Sequence, residues 1–310
     1  MGSELTAPAA VGLAGKLDRV PEFAGTPRTV TELPGGLTNH NYKVTTGAGD
    51  FVARVWSGGG DFLAINRDHE YHNSVAAAQA GVGAPVVAYH PGDNLLVLRF
   101  IEGRTFGNAD VQAPANIPRI AQACRQLHTG PRFAGDFDMF VIQGRYAAVT
   151  AELGFRVPAG YDALMPQMEA ARRALAVNAE PTVPCNNDLL AANFIDDGSR
   201  IWLIDYEYAG NNDACFELGD VWSESNLSLE ALGELVTAYY GRRLRHKIAR
   251  ARLWGLMSKY GWTLWASIQD GVSEIDFDFW EWGMEKYVRA VAEFDDPGFE
   301  RLLGEAERAD

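Results

Sequence analysis

Along the first third of the chain apolar and polar positions alternate, and beyond it they fall at helical spacing. Residues 1–30 are rich in Ala, Gly and Pro and read as a loose segment before a short helix. Alternation starts at Tyr42-Lys43-Val44-Thr45 and returns at Asp50–Trp56, with Thr46-Gly47-Ala48-Gly49 between. That period of two predicts two strands joined by a turn. A helix is predicted over roughly residues 61–80, carrying Arg67, Glu70 and Ser74 at helical spacing and stopped by Gly81. Two further strands, 86–89 and 94–100, flank Pro91-Gly92-Asp93. Ile101-Glu102-Gly103 breaks the pattern. Beyond it Ile117, Ile120, Ala121, Cys124 and Leu127 share one helical face. The fold class this predicts is α+β in two lobes. Residues 1–100 form a sheet-plus-helix lobe, 104–310 a mainly helical one, and 100–104 a hinge.

One stretch of the second lobe departs from helical spacing. Between Cys185 and Tyr208, the runs Asn193-Phe194-Ile195 and Ile201-Trp202-Leu203-Ile204 flank Asp196-Asp197-Gly198-Ser199. Aspartate and glycine between two apolar runs signal a hairpin. Such a hairpin gathers Asp188 and Asn193 from the loop before it and Asp205 just past its second strand. An Asp and an Asn five residues apart, with a second Asp after a strand, is a layout suited to phosphoryl transfer. One carboxylate accepts the proton of an attacking hydroxyl, while an amide oxygen and the other carboxylate hold magnesium. Alone, Asp and Asn are ordinary turn residues, so the remaining chain has to narrow the reading.

In the first lobe, glycines between the strands let backbone amides approach phosphate oxygens without a Cβ in the way. Thr38 and Asn39 add hydroxyl and amide donors. Arg54 stands mid-strand in an apolar run, where a buried cation wants an anion. Its candidate partners are a phosphate and Glu70 on the following helix. A cleft between the lobes is a natural nucleotide site, with backbone groups of the hinge, Phe100 and Ile101, reading the adenine.

Composition narrows the ligand. The chain has 310 residues, 47% hydrophobic and 22% charged, with a net charge of -14. That charge disfavours nucleic acid and anionic membranes and favours small cations. Cysteines 124, 185 and 215 make neither a disulfide framework nor a paired zinc spacing, which predicts a reducing, cytoplasmic setting. No run is long enough for a secretion signal or a membrane span. Met1-Gly2 with Thr6 formally fits a myristoylation pattern and is set aside. Oligomeric state is not legible.

Taken in order, Gly35-Gly36-Leu37-Thr38-Asn39 with Asn41-Tyr42, Arg54, Glu70, Asn187-Asp188 with Asn193, and Ile204-Asp205-Tyr206-Glu207-Tyr208 form one set. It resembles the choline/ethanolamine kinase family, within the aminoglycoside phosphotransferase group of protein-kinase-like fold, over about residues 30–285. The resemblance implies ATP and Mg2+ as cofactors and a small cationic hydroxyl compound as substrate. Asp188 becomes the catalytic base, and Asn193 and Asp205 the metal ligands. Gly36, Thr38, Asn39, Arg54, Glu70, Phe100 and Ile101 form the nucleotide site. The family's Glu-Tyr pair matches Glu207-Tyr208, its later glutamate matches Glu224, and its Trp-x-x-Trp-x-x-x-Gln helix matches Trp262, Trp265 and Gln269. Residues three apart share a helix face, so the resemblance implies an aromatic box of Tyr208, Trp262 and Trp265 with Glu207 and Glu224 for a quaternary ammonium. Its implied alternatives are ethanolamine, an aminoglycoside, thiamine or a sugar derivative as acceptor, or a kinase-like binding protein with impaired turnover. Three departures from the family pattern stand out: Asn186 where histidine is usual, Glu217 for aspartate, and Asp220-Val221-Trp222 for the eukaryotic Asn-His-aromatic run. The last implies a bacterial-type member.

Overall fold

The computed structural model describes residues 7–56 and 62–308. A helix, α1 (Ala7–Leu17), precedes three strands, β1 (Arg28–Leu33), β2 (Asn39–Thr46) and β3 (Gly49–Trp56). Helix α2 (Arg67–Gln79) and strands β4 (Val86–His90) and β5 (Leu95–Arg99) follow, completing an antiparallel sheet in the order β1-β2-β3-β5-β4. Alternation gives the sheet two apolar faces. Tyr42, Val44, Phe51, Ala53, Leu95 and Val97 pack with Leu13, Leu17, Val20 and Phe23 in one core under α1. The intervening positions, Val52, Arg54, Leu96 and Leu98, turn to the opposite face and line a cavity. Arg54 therefore sits in an apolar run because it belongs to the cavity face.

Several boundaries differ from the expected ones. Strand β1 was not anticipated, because its two large apolar side chains, Val30 and Leu33, are three positions apart and break the alternating period, and it takes its place by pairing with β2. Strand β2 starts at Asn39, three residues before apolar alternation begins. Helix α2 begins at Arg67 because the Asn66 side chain caps it by accepting from the His69 amide. Residues 57–61, where the helix was expected to start, lie outside the described residues, as does the myristoylation pattern's Met1-Gly2 with Thr6.

The second lobe is helical around a small β framework. It runs β6 (Arg104–Thr105), α3 (Asn108–Gln112), α4 (Ile117–His128), α5 (Met139–Leu153), α6 (Met165–Ala176), β7 (Val183–Cys185), β8 (Phe194–Asp196), β9 (Ile201–Leu203) and β10 (Gly210–Asn212). Helices α7 (Ala214–Glu224), α8 (Leu229–Tyr240), α9 (Arg245–Val272), α10 (Phe279–Phe294) and α11 (Phe299–Ala306) complete it. The apolar face of α4 lies in the main core as its spacing predicts. Helices α7 and α9 cross closely at two glycines. A Cβ on Gly219 would stand 2.1 Å from the Ala251 carbonyl oxygen, inside any allowed contact. No helix among the described residues is long and apolar enough to cross a membrane.

Two short ladders position the chemistry. Strands β8 and β9 form the expected hairpin, with β6 added to its edge, while β7 pairs with β10. The loop 186–193 leaves β7 and enters β8, and the segment 204–209 leaves β9 and enters β10. Both connectors are thus fastened at each end by strand pairing.

Candidate active site

Asp188 is held by the peptide groups and side chains around it. Asn187 and Asp205 have φ of +68° and +65°, the left-handed region that non-glycine residues enter at a cost. Each is fixed by polar partners. The Asn187 side-chain amide donates to the carbonyls of Cys185 and Tyr208, both at 3.1 Å. The Asn186 amide donates to the carbonyls of Ile204 and Asp205 at 3.1 and 2.8 Å, and its oxygen accepts the Asp188 amide at 3.1 Å. Asn186 is thereby the tie between the two connectors. A carboxylate from α7 holds the loop from behind. Glu217 accepts the amides of Asn186 and Asn187, each at 2.8 Å. Asp220, one turn on, accepts the Leu189 amide at 2.7 Å and the Ser258 hydroxyl at 2.7 Å. The Asn193 amide donates to the Asp188 carbonyl at 2.7 Å, which closes the loop on itself.

These carboxylates crowd one another. Burial, then Asp220, Asp205, Glu224 and Glu207, push the Asp188 carboxyl well above the usual range. Burial and then Asp205 push Glu207 up to about 7, against the opposing pull of Arg67 and Arg54.

Cations from the first lobe answer this acidity. Buried Arg54 donates to Glu70 at 2.9 Å and also pairs with Asp205. Burial pulls its guanidinium down, but Asp205 and Glu70 outweigh that and hold it above the usual arginine value. Arg67 joins Glu70 at 2.6 Å, Glu207 at 3.2 Å and the Asn39 side-chain oxygen at 2.9 Å. The Thr38 hydroxyl and the Asn39 amide donate to Glu207 at 2.6 and 2.8 Å. Gln269 on α9 donates to the Leu37 carbonyl at 2.8 Å.

The glycine pair beside this cavity is Gly35-Gly36, in the connection between β1 and β2. Gly35 has φ of +101°, and a Cβ on Gly36 would stand 2.1 Å from the Asn39 carbonyl oxygen. The turn at Gly47-Ala48, where phosphate-binding amides were also expected, lies at the other end of the hairpin, against Arg99, and does not line the cavity. Phe100 and Ile101 do line it. The Phe100 amide is spent on the Asp50 carbonyl at 3.1 Å.

The cavity, about 490 Å³, extends from Leu33–Asn39 and Arg54 past Asp188, Asn193 and Asp205 to a wall of Tyr208, Trp262, Trp265 and Trp282. The Tyr208 hydroxyl accepts the Trp265 indole N–H at 2.7 Å, and the Tyr208 and Trp262 rings meet edge to face at 4.9 Å. Trp265 packs on Trp282 at 5.4 Å. Trp282 was not picked out from the sequence, although the i, i+3 spacing of Phe279 and Trp282 was a usable signal, and Arg67 was placed on the helix beside Glu70 without a role in the site. Glu207 reaches the cavity, but both its oxygens are engaged with Thr38, Asn39 and Arg67. Glu224 stands apart from the cavity lining, because Lys286 takes it at 2.6 Å.

A profile of the phosphotransferase enzyme family (APH) matches residues 29–254, which span both connectors and all but the first residue of the five-stranded sheet. The chain belongs to that family. It is a phosphotransferase acting on an alcohol group, and it is choline kinase-like. Protein LicA of Haemophilus influenzae is 23% identical over 247 residues, covering 76% of this chain and 91% of LicA. Ethanolamine kinase 2 of Mus musculus is 25% identical over 253 residues, 73% of this chain and 65% of that protein. Among solved structures, a choline/ethanolamine kinase family protein from Mesorhizobium loti superposes with a TM-score of 0.84 at 30% identity, over 96% of this chain and 99% of that one. The choline kinase LicA of Streptococcus pneumoniae gives 0.78 at 22% identity, over 96% and 99%. The α+β fold with an antiparallel first lobe and a helical second lobe is that of these kinases.

Proposed function

We propose that this phosphotransferase moves the γ-phosphoryl group of ATP to the hydroxyl of choline or a closely related amino alcohol. The observation that carries the reading is that Asp188 shares one cavity with the four aromatic side chains Tyr208, Trp262, Trp265 and Trp282. A cationic head held against those faces gains roughly 0.5–2 kcal/mol per good contact, and its hydroxyl is then presented to the carboxylate.

In the mechanism Asp188 accepts the hydroxyl proton as the oxygen attacks phosphorus. Asn186, Glu217 and Asp220 keep its loop fixed, so little reorganisation accompanies the step. Arg54 and the amides near Gly36, Thr38 and Asn39 position the nucleotide phosphates, Glu70 orients Arg54, and Phe100 and Ile101 border the base. The donor set of Asn193 and Asp205, one amide oxygen and one carboxylate, is hard and oxygen-based and fits magnesium. When bound there, magnesium supplies positive charge to the phosphoryl oxygens. Proton transfer to a placed carboxylate contributes about 10²–10⁴ in rate.

An aminoglycoside fits less well. Such an acceptor needs several unengaged carboxylates, and two of the acidic residues between the end of α9 and the start of α10 are already spent. Asp270 pairs with Arg156 at 2.6 Å through both oxygens, and Asp278 caps α10. A magnesium-dependent ATP-consumption screen tests the proposal with choline, its mono- and dimethylated analogues, ethanolamine, thiamine and aminoglycosides. A choline rate that falls as methyl groups are removed supports it. Turnover confined to an aminoglycoside or thiamine overturns the acceptor. Nucleotide binding without turnover of any acceptor favours an impaired binding protein.

A further inference from the structure

Glu224 closes the last turn of α7 and is buried, 7% exposed. The Lys286 ammonium from α10 lies 2.6 Å from one of its oxygens and bonds the other as well. The same ammonium stands 4.0 Å over the ring of Trp282, one helical turn earlier. Trp282 in turn packs on Trp265 and lines the cavity beside Asp188. A cation of the chain itself thus fills this setting of indole face plus carboxylate. The wall beside Asp188 is made of four aromatic side chains, Tyr208, Trp262, Trp265 and Trp282, and the Tyr208 hydroxyl already accepts from Trp265.

Ring faces attract a cation without direction. They suit a methylated ammonium, which has no N–H to satisfy. A primary ammonium brings three donors that need acceptors, and a buried donor without one is penalised. Resting on the amino-alcohol kinase reading, we propose that Lys286 is a specificity-determining residue. By neutralising Glu224 it withholds a carboxylate from the acceptor pocket, so that the pocket selects N-methylated over primary ammonium alcohols.

The test is the ratio of kcat/KM for choline to that for ethanolamine in the wild type, in Lys286→Met, and in the double variant Lys286→Met with Glu224→Gln. In Lys286→Met the freed carboxylate is expected to lower the ratio at least about tenfold, through a lower KM for ethanolamine (roughly that tenfold being a modest contribution for one charge-assisted bond). The double variant, with no charge on either side, is expected to return the ratio to near the wild-type value. A folded Lys286→Met enzyme with an unchanged ratio overturns the proposal, as does a ratio lowered equally in both variants, which marks a packing effect. Leaving Glu224 buried and unpaired can prevent folding. If circular dichroism shows that it does, the double variant decides, and loss of its choline preference overturns the proposal. A wild type that prefers ethanolamine overturns this inference and leaves the kinase reading standing. A wild type that turns over no amino alcohol overturns both.

Discussion

Asp188 lies among four other carboxylates that, after burial, raise its proton affinity, and the residues around it have separable tasks. Replacing it by Asn removes the proton acceptor but keeps the side chain's size. Turnover should fall by about 10²–10⁴, with nucleotide affinity nearly unchanged, as steady-state rates and a nucleotide titration would check. Asn186 acts through position alone. Asn186→Ala removes two donated bonds and one accepted bond that tie the connectors. It should lower kcat while leaving the acceptor KM close to wild type, whereas a rise in KM alone would contradict a loop-holding role. The aromatic wall makes the opposite prediction. Leu at both 262 and 265 should lower kcat/KM for choline by about 10- to 100-fold, the worth of two cation–π contacts, mainly through KM. If choline kinetics were unmoved, the wall would not be the acceptor site.

Among the elements, α7 carries the loop's support and α9 carries a buried charge. Glu217→Ala orphans the amides of Asn186 and Asn187, each costing about 1–3 kcal/mol. A lower melting temperature and a lower kcat should appear together. Lys259 on α9 is buried over the Trp222 ring at 3.4 Å. Burial, and then Arg289, push it down to about 7 from the usual 10.5. Between those two values the unfolded chain binds the extra proton, so stability rises with pH from about 7 towards 10. Lys259→Met should raise the melting temperature at pH 7 and flatten that slope. Parallel melting curves for both proteins from pH 7 to 9.5 would contradict it. What was readable in the sequence follows from range. The β8–β9 hairpin and the cavity face of β3 are set by neighbours within a few residues, so Asp188, Asn193, Asp205 and Arg54 could be picked out. Strands β1 and β6 were not legible because pairing with other strands makes them, not their own apolar content. Arg67, Gln269 and Lys286 were not seen in their observed contacts, because their partners lie 140, 232 and 62 positions away.

Across the whole molecule the lobes are tied through the site itself. Arg54 spans Glu70 and Asp205, Thr38 and Asn39 meet Glu207, and Gln269 meets Leu37. The residues assigned to nucleotide and metal are therefore also part of the fastening between lobes, beside bonds outside the site such as Asn73 to the Ala209 carbonyl and the Leu203 amide to Val82, and ligand entry has to exchange some of the bonds at the site. Removing one partner of a buried pair costs about 3–5 kcal/mol, so Arg54→Met should weaken both folding and nucleotide binding. All of this rests on the claim that a phosphoryl group passes from ATP to the acceptor oxygen within the cleft at Asp188. Phosphorus NMR of a reaction holding ATP, magnesium and choline tests it most directly, run with the wild type and with Asp188→Asn. A phosphomonoester of choline should grow in step with ADP in the wild type and be nearly absent in the variant, which still binds ATP. ADP and inorganic phosphate without that ester, or equal ester from both proteins, would contradict it.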